Sequence, residues 1–305
     1  EADTRAELID PQLKLAGWGD IAESRVQREY NINAGEIKAG GIRSSQMKAD
    51  YVLVYKNRKL AVIEAKSNEQ EVGEGVAQAK LYATKLELDY TYAANGEEIY
   101  EICLATGNEG LVSGFPTPDE LWNKVFGDSN EWQAKFNAVP FEDVNGTKQA
   151  RYYQEIAVNR VMEAIANNQQ RILLTLATGT GKTFVAFQVA WKLFQSRWNL
   201  RKDGKRTPRI LFLADRNALV RQAKNNFSEY LPDLSAIDLT QEKERTDTRL
   251  VFSTYPTMMN KIDNLKLDDE RFYGVGHFDL IIVDEAHRSI YNRYRDIYEY
   301  FDALV

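Results

Sequence analysis

Three groups of residues carry side chains that do chemistry when brought together. Arg171 to Thr183 reads R-I-L-L-T-L-A-T-G-T-G-K-T: an apolar run, a turn punctuated by Gly179 and Gly181, then Lys182-Thr183 opening a helical segment, Phe184–Ser196. That order suits a phosphate-binding loop. A buried parallel strand delivers the loop to the sheet edge, and the glycines let backbone N–H groups of Thr178, Gly179, Thr180 and Gly181 approach phosphate. The helix that follows aims its positive end at the same point. Lys182 then reaches the β- and γ-phosphates and the Thr183 hydroxyl holds Mg²⁺. The second group ends F-D-L-I-I-V-D-E-A-H, Phe278 to His287. Asp284 at the end of this apolar strand suits Mg²⁺, and Glu285 suits the water that attacks a γ-phosphate.

The third group lies earlier. On a strand Lys59 to Lys66, a period of two puts Leu60, Val62, Glu64 and Lys66 on one face. Asp50 opens the preceding strand, whose return near Asn57 brings it back toward them. Two carboxylates beside an ammonium suit phosphodiester hydrolysis, with Asp50 and Glu64 holding Mg²⁺ and Lys66 orienting or deprotonating water. Gln78 and Tyr82, at i and i+4 of a following helix, share a face and lean over the same place.

These sites need two bodies to hold them. The 305 residues suffice for two domains, and 44% hydrophobic with 28% charged residues is a globular composition without a membrane-spanning run. A single Cys103 excludes a disulfide framework and fits a reducing cytoplasm; with His277 and His287 it is too little for a zinc site. The net charge of −6 argues against broad adhesion to DNA, and the basic run Arg197 to Arg209 reads as a solvated loop.

Residues Ala2 to Leu15 form a helix interrupted at Pro11. Strands follow at Val26 to Ile32, Ala49 to Tyr55 and Lys59 to Lys66, with a Gly40-Gly41 turn between the first two. A helix Val72 to Leu86 leads to strands Tyr90 to Asn95 and Glu98 to Leu104 around an Asn95-Gly96 turn. Gly107 to Val144, rich in tryptophan and phenylalanine, reads as a packed connector, with a boundary near 140–147 and domains 1–140 and 141–305. Beyond it come a helix Arg151 to Gln169 and strand-to-helix units at Ile210 to Ala223 and from Leu250 to Met258.

The form A-T-G-T-G-K-T from Ala177, with Leu176 where the general phosphate loop has glycine, is similar to that of superfamily 2 helicases and translocases. In such proteins R-Y-Y-Q resembles an adenine-reading motif, which implies Gln154 on the adenine edge with Arg151 or a tyrosine on the ring. The strand-end segments resemble DNA-contacting motifs, which implies Arg216, Thr254 and Tyr255 on phosphates. The spacing of Asp50 with Glu64-Ala65-Lys66 resembles the PD-(D/E)xK nucleases, with Ala49 in place of proline, and Glu7 resembles the acidic residue that often completes such sites.

A nuclease-like mixed α/β domain followed by a RecA-like doubly wound parallel sheet, opening T-R-A-E-L-I-D-P-Q-L-K-L-A-G-W, resembles the motor subunit of type I restriction enzymes. The resemblance implies ATP- and Mg²⁺-dependent translocation on double-stranded DNA coupled to cleavage. It also implies methyltransferase and specificity subunits as partners and no membrane. It further implies that a second RecA-like domain, with its arginine finger, lies outside these residues, so that this stretch alone is an incomplete ATPase. Two other readings stay open: a remodelling ATPase whose nuclease fold only binds nucleic acid, and a non-catalytic adaptor.

Overall fold

The computed structural model describes residues 2–33, 47–127, 130–143, 146–231, 234–267, 270–286 and 294–305. The Gly40-Gly41 turn, Val144 and His287 lie outside them. Two compact units form, Glu1–Ala138 and Val139–Val305.

The first unit opens with helix α1 (Ala2–Thr4), a π turn (Arg5–Ile9) and α2 (Asp10–Leu15). Pro11 falls in the first turn of α2, where its missing N–H costs nothing, so the helix restarts rather than ends there. Strands β1 (Ser24–Asn33), β2 (Met47–Tyr55) and β3 (Arg58–Ala65) form an antiparallel meander. After a 3₁₀ turn (Val72–Gly75), α3 (Val76–Leu86) crosses over to β4 (Tyr90–Ala94), which pairs parallel to β3; a parallel neighbour demands such a crossover. β5 (Ile99–Cys103) and β6 (Glu109–Val112) complete a six-stranded sheet in chain order.

β6 lies inside the stretch read as a connector, whose remainder is α4 (Pro118–Phe126), held by a Thr117/Glu120 capping box, and α5 (Glu131–Ala138). Its four residues are half-buried or exposed, an edge too short and too wet to leave an apolar pattern. Ile9, Leu13, Trp18, Tyr51, Leu53, Ile63, Tyr92 and Trp122 share the core. Gly96 has φ +88°, and a Cβ there would lie 2.6 Å from Leu8, so the hairpin turn needs glycine to let the first helix pack.

In the second unit, α6 (Tyr152–Ala166) and α7 (Lys182–Gln195) precede β7 (Ile210–Ala214), α8 (Asn217–Tyr230), β8 (Ala236–Asp238), β9 (Leu250–Thr254) and α9 (Tyr255–Asn264). A short hairpin, β10 (Lys266–Leu267) with β11 (Glu270–Arg271), leads to β12 (Leu280–Val283) and α10 (Arg295–Tyr300). The sheet β12-β7-β9-β8 is parallel throughout. Phe212 and Phe252 meet Phe227 of α8 on one face, while Leu211, Leu213, Val251 and Ile281 pack with Met258 and Ile297 on the other. Both faces are covered, as all-parallel sheets require.

The strand expected before the phosphate loop is not in this sheet. Residues 171–177 carry no regular secondary structure and are mostly exposed, Leu173 at 84%, and Ile172 N donates to Val305 O (2.8 Å). A parallel strand exists only through its neighbours' hydrogen bonds. Leu304 also bridges to Leu280, and among the described residues Leu173 to Leu176 belong to no strand.

The run 197–209 is only in part a solvated loop: Arg197, Arg201, Asp203 and Lys205 are exposed. Trp198 and Asn199 are buried, and Arg206 grips Asp279 through two bonds of 2.6 and 2.9 Å; Asp279 also accepts from Leu200 N and Arg209 N. One buried carboxylate ahead of β12 thus ties the basic loop down. Segment 139–142 is held against α7: the Gln188 amide accepts from Glu142 N (3.1 Å) and donates to Glu142 O (2.7 Å), and Lys192 donates to Val139 O.

Candidate functional site

In the first unit the antiparallel register pairs Tyr51 with Ile63, which sets Asp50 opposite Glu64, and directly opposed residues share a face. Asp50 Oδ2 accepts from Ala65 N (2.8 Å) and Oδ1 from the Arg5 guanidinium (3.0 Å). Glu64 is 2% exposed, and its Oε1 lies 3.0 Å from Lys66 Nζ. Lys66 also donates to Gln78 Oε1 (3.3 Å), while Gln78 Nε2 donates to Tyr82 OH (2.8 Å). Glu64, Lys66, Gln78 and Tyr82 form one chain of contacts, and Asp50 is tied to the same strand through Ala65 N. The ammonium, which can only donate, fixes Oε1 as the end of the Gln78 amide that faces it and leaves Nε2 for the phenol. Glu7 is exposed and stands apart from this chain of contacts.

Four participants had no sequence signal. Arg5 bonds both Asp50 and Glu29, and Lys48 also pairs with Glu29. Burial works against the Arg5 charge, but the Glu29 bond and the charges of Asp50 and Glu29 raise its pKa; bonds from Lys48 and then Arg5 lower that of Glu29. Gly75 closes the site from the 3₁₀ turn, where a Cβ would come 3.4 Å from Lys66 and 3.5 Å from Glu64. The π turn, invisible to a 3.6-residue pattern, is what carries Arg5 to Asp50. Among the described residues no group of three or more His, Cys, Asp and Glu gathers as a metal site. The Asp50/Glu64 pair is an all-oxygen donor set of the kind that suits Mg²⁺ rather than zinc.

In the second unit Gly179 (φ +81°) and Gly181 (φ +87°) are left-handed, and Gly181 caps α7, so Lys182 and Thr183 form its first turn. β12 delivers Asp284 and Glu285 to the same place: Lys182 Nζ lies 3.2 Å from Glu285 Oε1, and Asp284 N donates to Leu213 O. Burial, and then the neighbouring Glu285, raise the Asp284 pKa against the opposing charge of Lys182.

Gln154 is buried with its amide spent on backbone. It accepts from Arg151 N (2.9 Å) and donates to Thr180 O (2.8 Å), bracing the loop. Arg151 donates to Tyr153 OH (2.9 Å) beside it. The three expected DNA contacts divide: Arg216 is exposed, whereas Thr254 and Tyr255 are buried, Tyr255 stacked on Tyr294. Strand-end position suggested contact for all three, but the α9 aromatic packs into the core.

Residues 147–305 match the family described as type III restriction enzyme, res subunit, and residues 23–106 match the second domain of the type I restriction enzyme EcoKI endonuclease subunit. The chain is 36% identical to the type I restriction enzyme EcoAI endonuclease subunit of Escherichia coli over 99% of its length, covering 38% of that protein. It is 28% identical to the EcoKI endonuclease subunit of E. coli K12 over 92% of its length, covering 28% of it. The chain therefore spans well under half of these relatives. The structure superposes with TM-score 0.80 at 36% identity on a fragment of an HsdR subunit of a type I restriction enzyme from Vibrio vulnificus YJ016, covering 99% of this chain and 53% of that one. The chain belongs to the endonuclease (HsdR) subunits of type I restriction enzymes, with a restriction-enzyme res module over residues 147–305.

Proposed function

We propose that the chain carries two engines of a restriction complex: an ATP-driven DNA-translocating module in residues 141–305 and an Mg²⁺-dependent DNA-cleaving module in residues 1–140. The observation that carries the reading is the meeting of Lys182 with Glu285 at 3.2 Å beside left-handed Gly179 and Gly181. That arrangement suits a triphosphate, whose β- and γ-oxygens draw Lys182 away and leave Glu285 to polarise water. Thr183 and Asp284 are the residues that would hold Mg²⁺ there. Arg216 is the remaining candidate for a phosphate of the DNA strand.

In the first unit Asp50 and Glu64 would hold Mg²⁺, which when bound supplies Lewis acidity and lowers the pKa of water. Lys66, steadied between Glu64 and Gln78, orients or deprotonates that water, and Tyr82 accepts from the other end of the Gln78 amide and so anchors it. Gln78 and Tyr82 are therefore positioning residues. Methyltransferase and specificity subunits would select the DNA on which both engines work, as the endonuclease-subunit relationship suggests.

The test is a plasmid assay with the full-length subunit, alone and with the proteins encoded beside it, with Mg²⁺ and with or without ATP. ATP-dependent conversion of circular DNA to linear product is expected. ATP hydrolysis with no cutting under any combination would leave a motor whose first unit only binds nucleic acid.

A further inference from the structure

The register that sets Asp50 opposite Glu64 extends one strand further. Arg28 pairs with Tyr51 and Tyr30 with Ala49, so Glu29 stands opposite Asp50 and three carboxylates from β1, β2 and β3 form one row. Glu29 has φ +55°, a left-handed conformation that glutamate seldom adopts, at a position where β1 meets Arg5. Arg5 reaches the row from the π turn, and its Nη1 bonds both Glu29 and Asp50; π turns recur at functional sites. A cation bridging two carboxylates through one nitrogen can release Asp50 while keeping Glu29.

We propose that Arg5 is a displaceable counterion of the nuclease site: it neutralises Asp50 until a divalent cation binds, and then withdraws onto Glu29. The proposal rests on the reading of Asp50 and Glu64 as metal ligands. It makes Arg5 and Glu29 positioning residues that set the metal affinity of the site, so that cation binding and the state of the first helix are coupled.

Calcium titration by calorimetry tests this without any catalytic readout. It is done without nucleotide in an Asp284→Asn background, so that the second unit adds nothing. Even in a water-like dielectric, a unit charge about 6 Å from a divalent ion weakens its binding by roughly tenfold, so Arg5→Ala should tighten Ca²⁺ binding by about that factor. Arg5→Lys keeps the charge and should stay within about threefold of the parent, which guards against a mere folding effect. Glu29→Gln removes the landing place and should weaken binding about threefold or more, yet should have little effect once Arg5 is alanine. Circular dichroism and melting confirm that each variant is folded. Unchanged or weaker binding in Arg5→Ala, with binding still abolished by Asp50→Asn, overturns the counterion role while leaving the metal site standing. Binding that survives both Asp50→Asn and Glu64→Gln removes the metal site and the proposal with it.

Discussion

Gly181→Ala separates the geometry of the phosphate loop from its charge. Two costs arise at this position. A residue with a Cβ in the left-handed region loses about 1–2 kcal/mol, and here φ is +87°. The new methyl also meets Gln154 Nε2 at 2.6 Å, so the amide must move. Gln154 sits at a buried position and would lose its bond to Thr180 O, a loss of about 1–1.5 kcal/mol. Together the loop conformation is destabilised by about 2–3.5 kcal/mol, and because apparent affinity scales with the competent fraction, ATP binding should weaken by roughly 30- to 400-fold. Gly179→Ala is the internal standard: φ is +81° but nothing lies within 4 Å of its Cβ. It carries the backbone cost alone, roughly 5- to 30-fold. The assay is titration with a fluorescent ATP analogue, with a thermal melt of each variant to show that the exposed loop is disturbed and the sheet is not. Equal effects at 179 and 181, or binding within threefold of the parent for Gly181→Ala, would refute the bracing role given to Gln154.

At the nuclease site, Asp50→Asn and Glu64→Gln should abolish DNA cutting by the full-length complex, and Lys66→Ala should lower it by about 10²–10⁴-fold, while ATP hydrolysis persists in all three; parallel loss of ATPase would argue against two separate engines. Gln188→Leu takes both hydrogen-bond partners from the Glu142 backbone and should destabilise the second unit by about 1–3 kcal/mol, read as a lower denaturation midpoint at unchanged slope; an unaltered midpoint would remove the clamp. Burial first, and then the Arg209 charge, against the opposing charge of Asp279, lower the His277 pKa from 6.5 to about 4. The folded state therefore resists protonation, and stability present above pH 6.5 is lost as pH falls toward 4. By pH 5 the loss should reach about 2 kcal/mol relative to pH 8, and His277→Phe should flatten that part of the stability profile; an equal slope in both proteins would show that other groups carry it.

Local order and periodicity were enough for much of this chain. Alternation marked β1 to β5, the 3.6-residue pattern marked α3 and α6, and Asn95-Gly96 marked a turn, because each depends on neighbours within a few residues. The same holds for Gly179-Thr180-Gly181-Lys182, whose backbone conformation is local, and for Lys66, Gln78 and Tyr82, whose spacing along a strand and a helix puts them within reach of one another. Tertiary structure decided what depends on partners distant in sequence. The apolar run 171–176 has a strand's composition, yet among the described residues it is assigned to no strand, since a parallel strand is made by its neighbours' hydrogen bonds. Tyr255 stands where a DNA contact was expected and packs inward, because burial of an aromatic ring is decided by the elements that close over it. Arg5 and Glu29 lie 24 residues apart and meet only because a π turn and a left-handed backbone conformation bring them to the same sheet row. No spacing rule encodes that meeting, since it depends on how a helix and three strands pack in three dimensions.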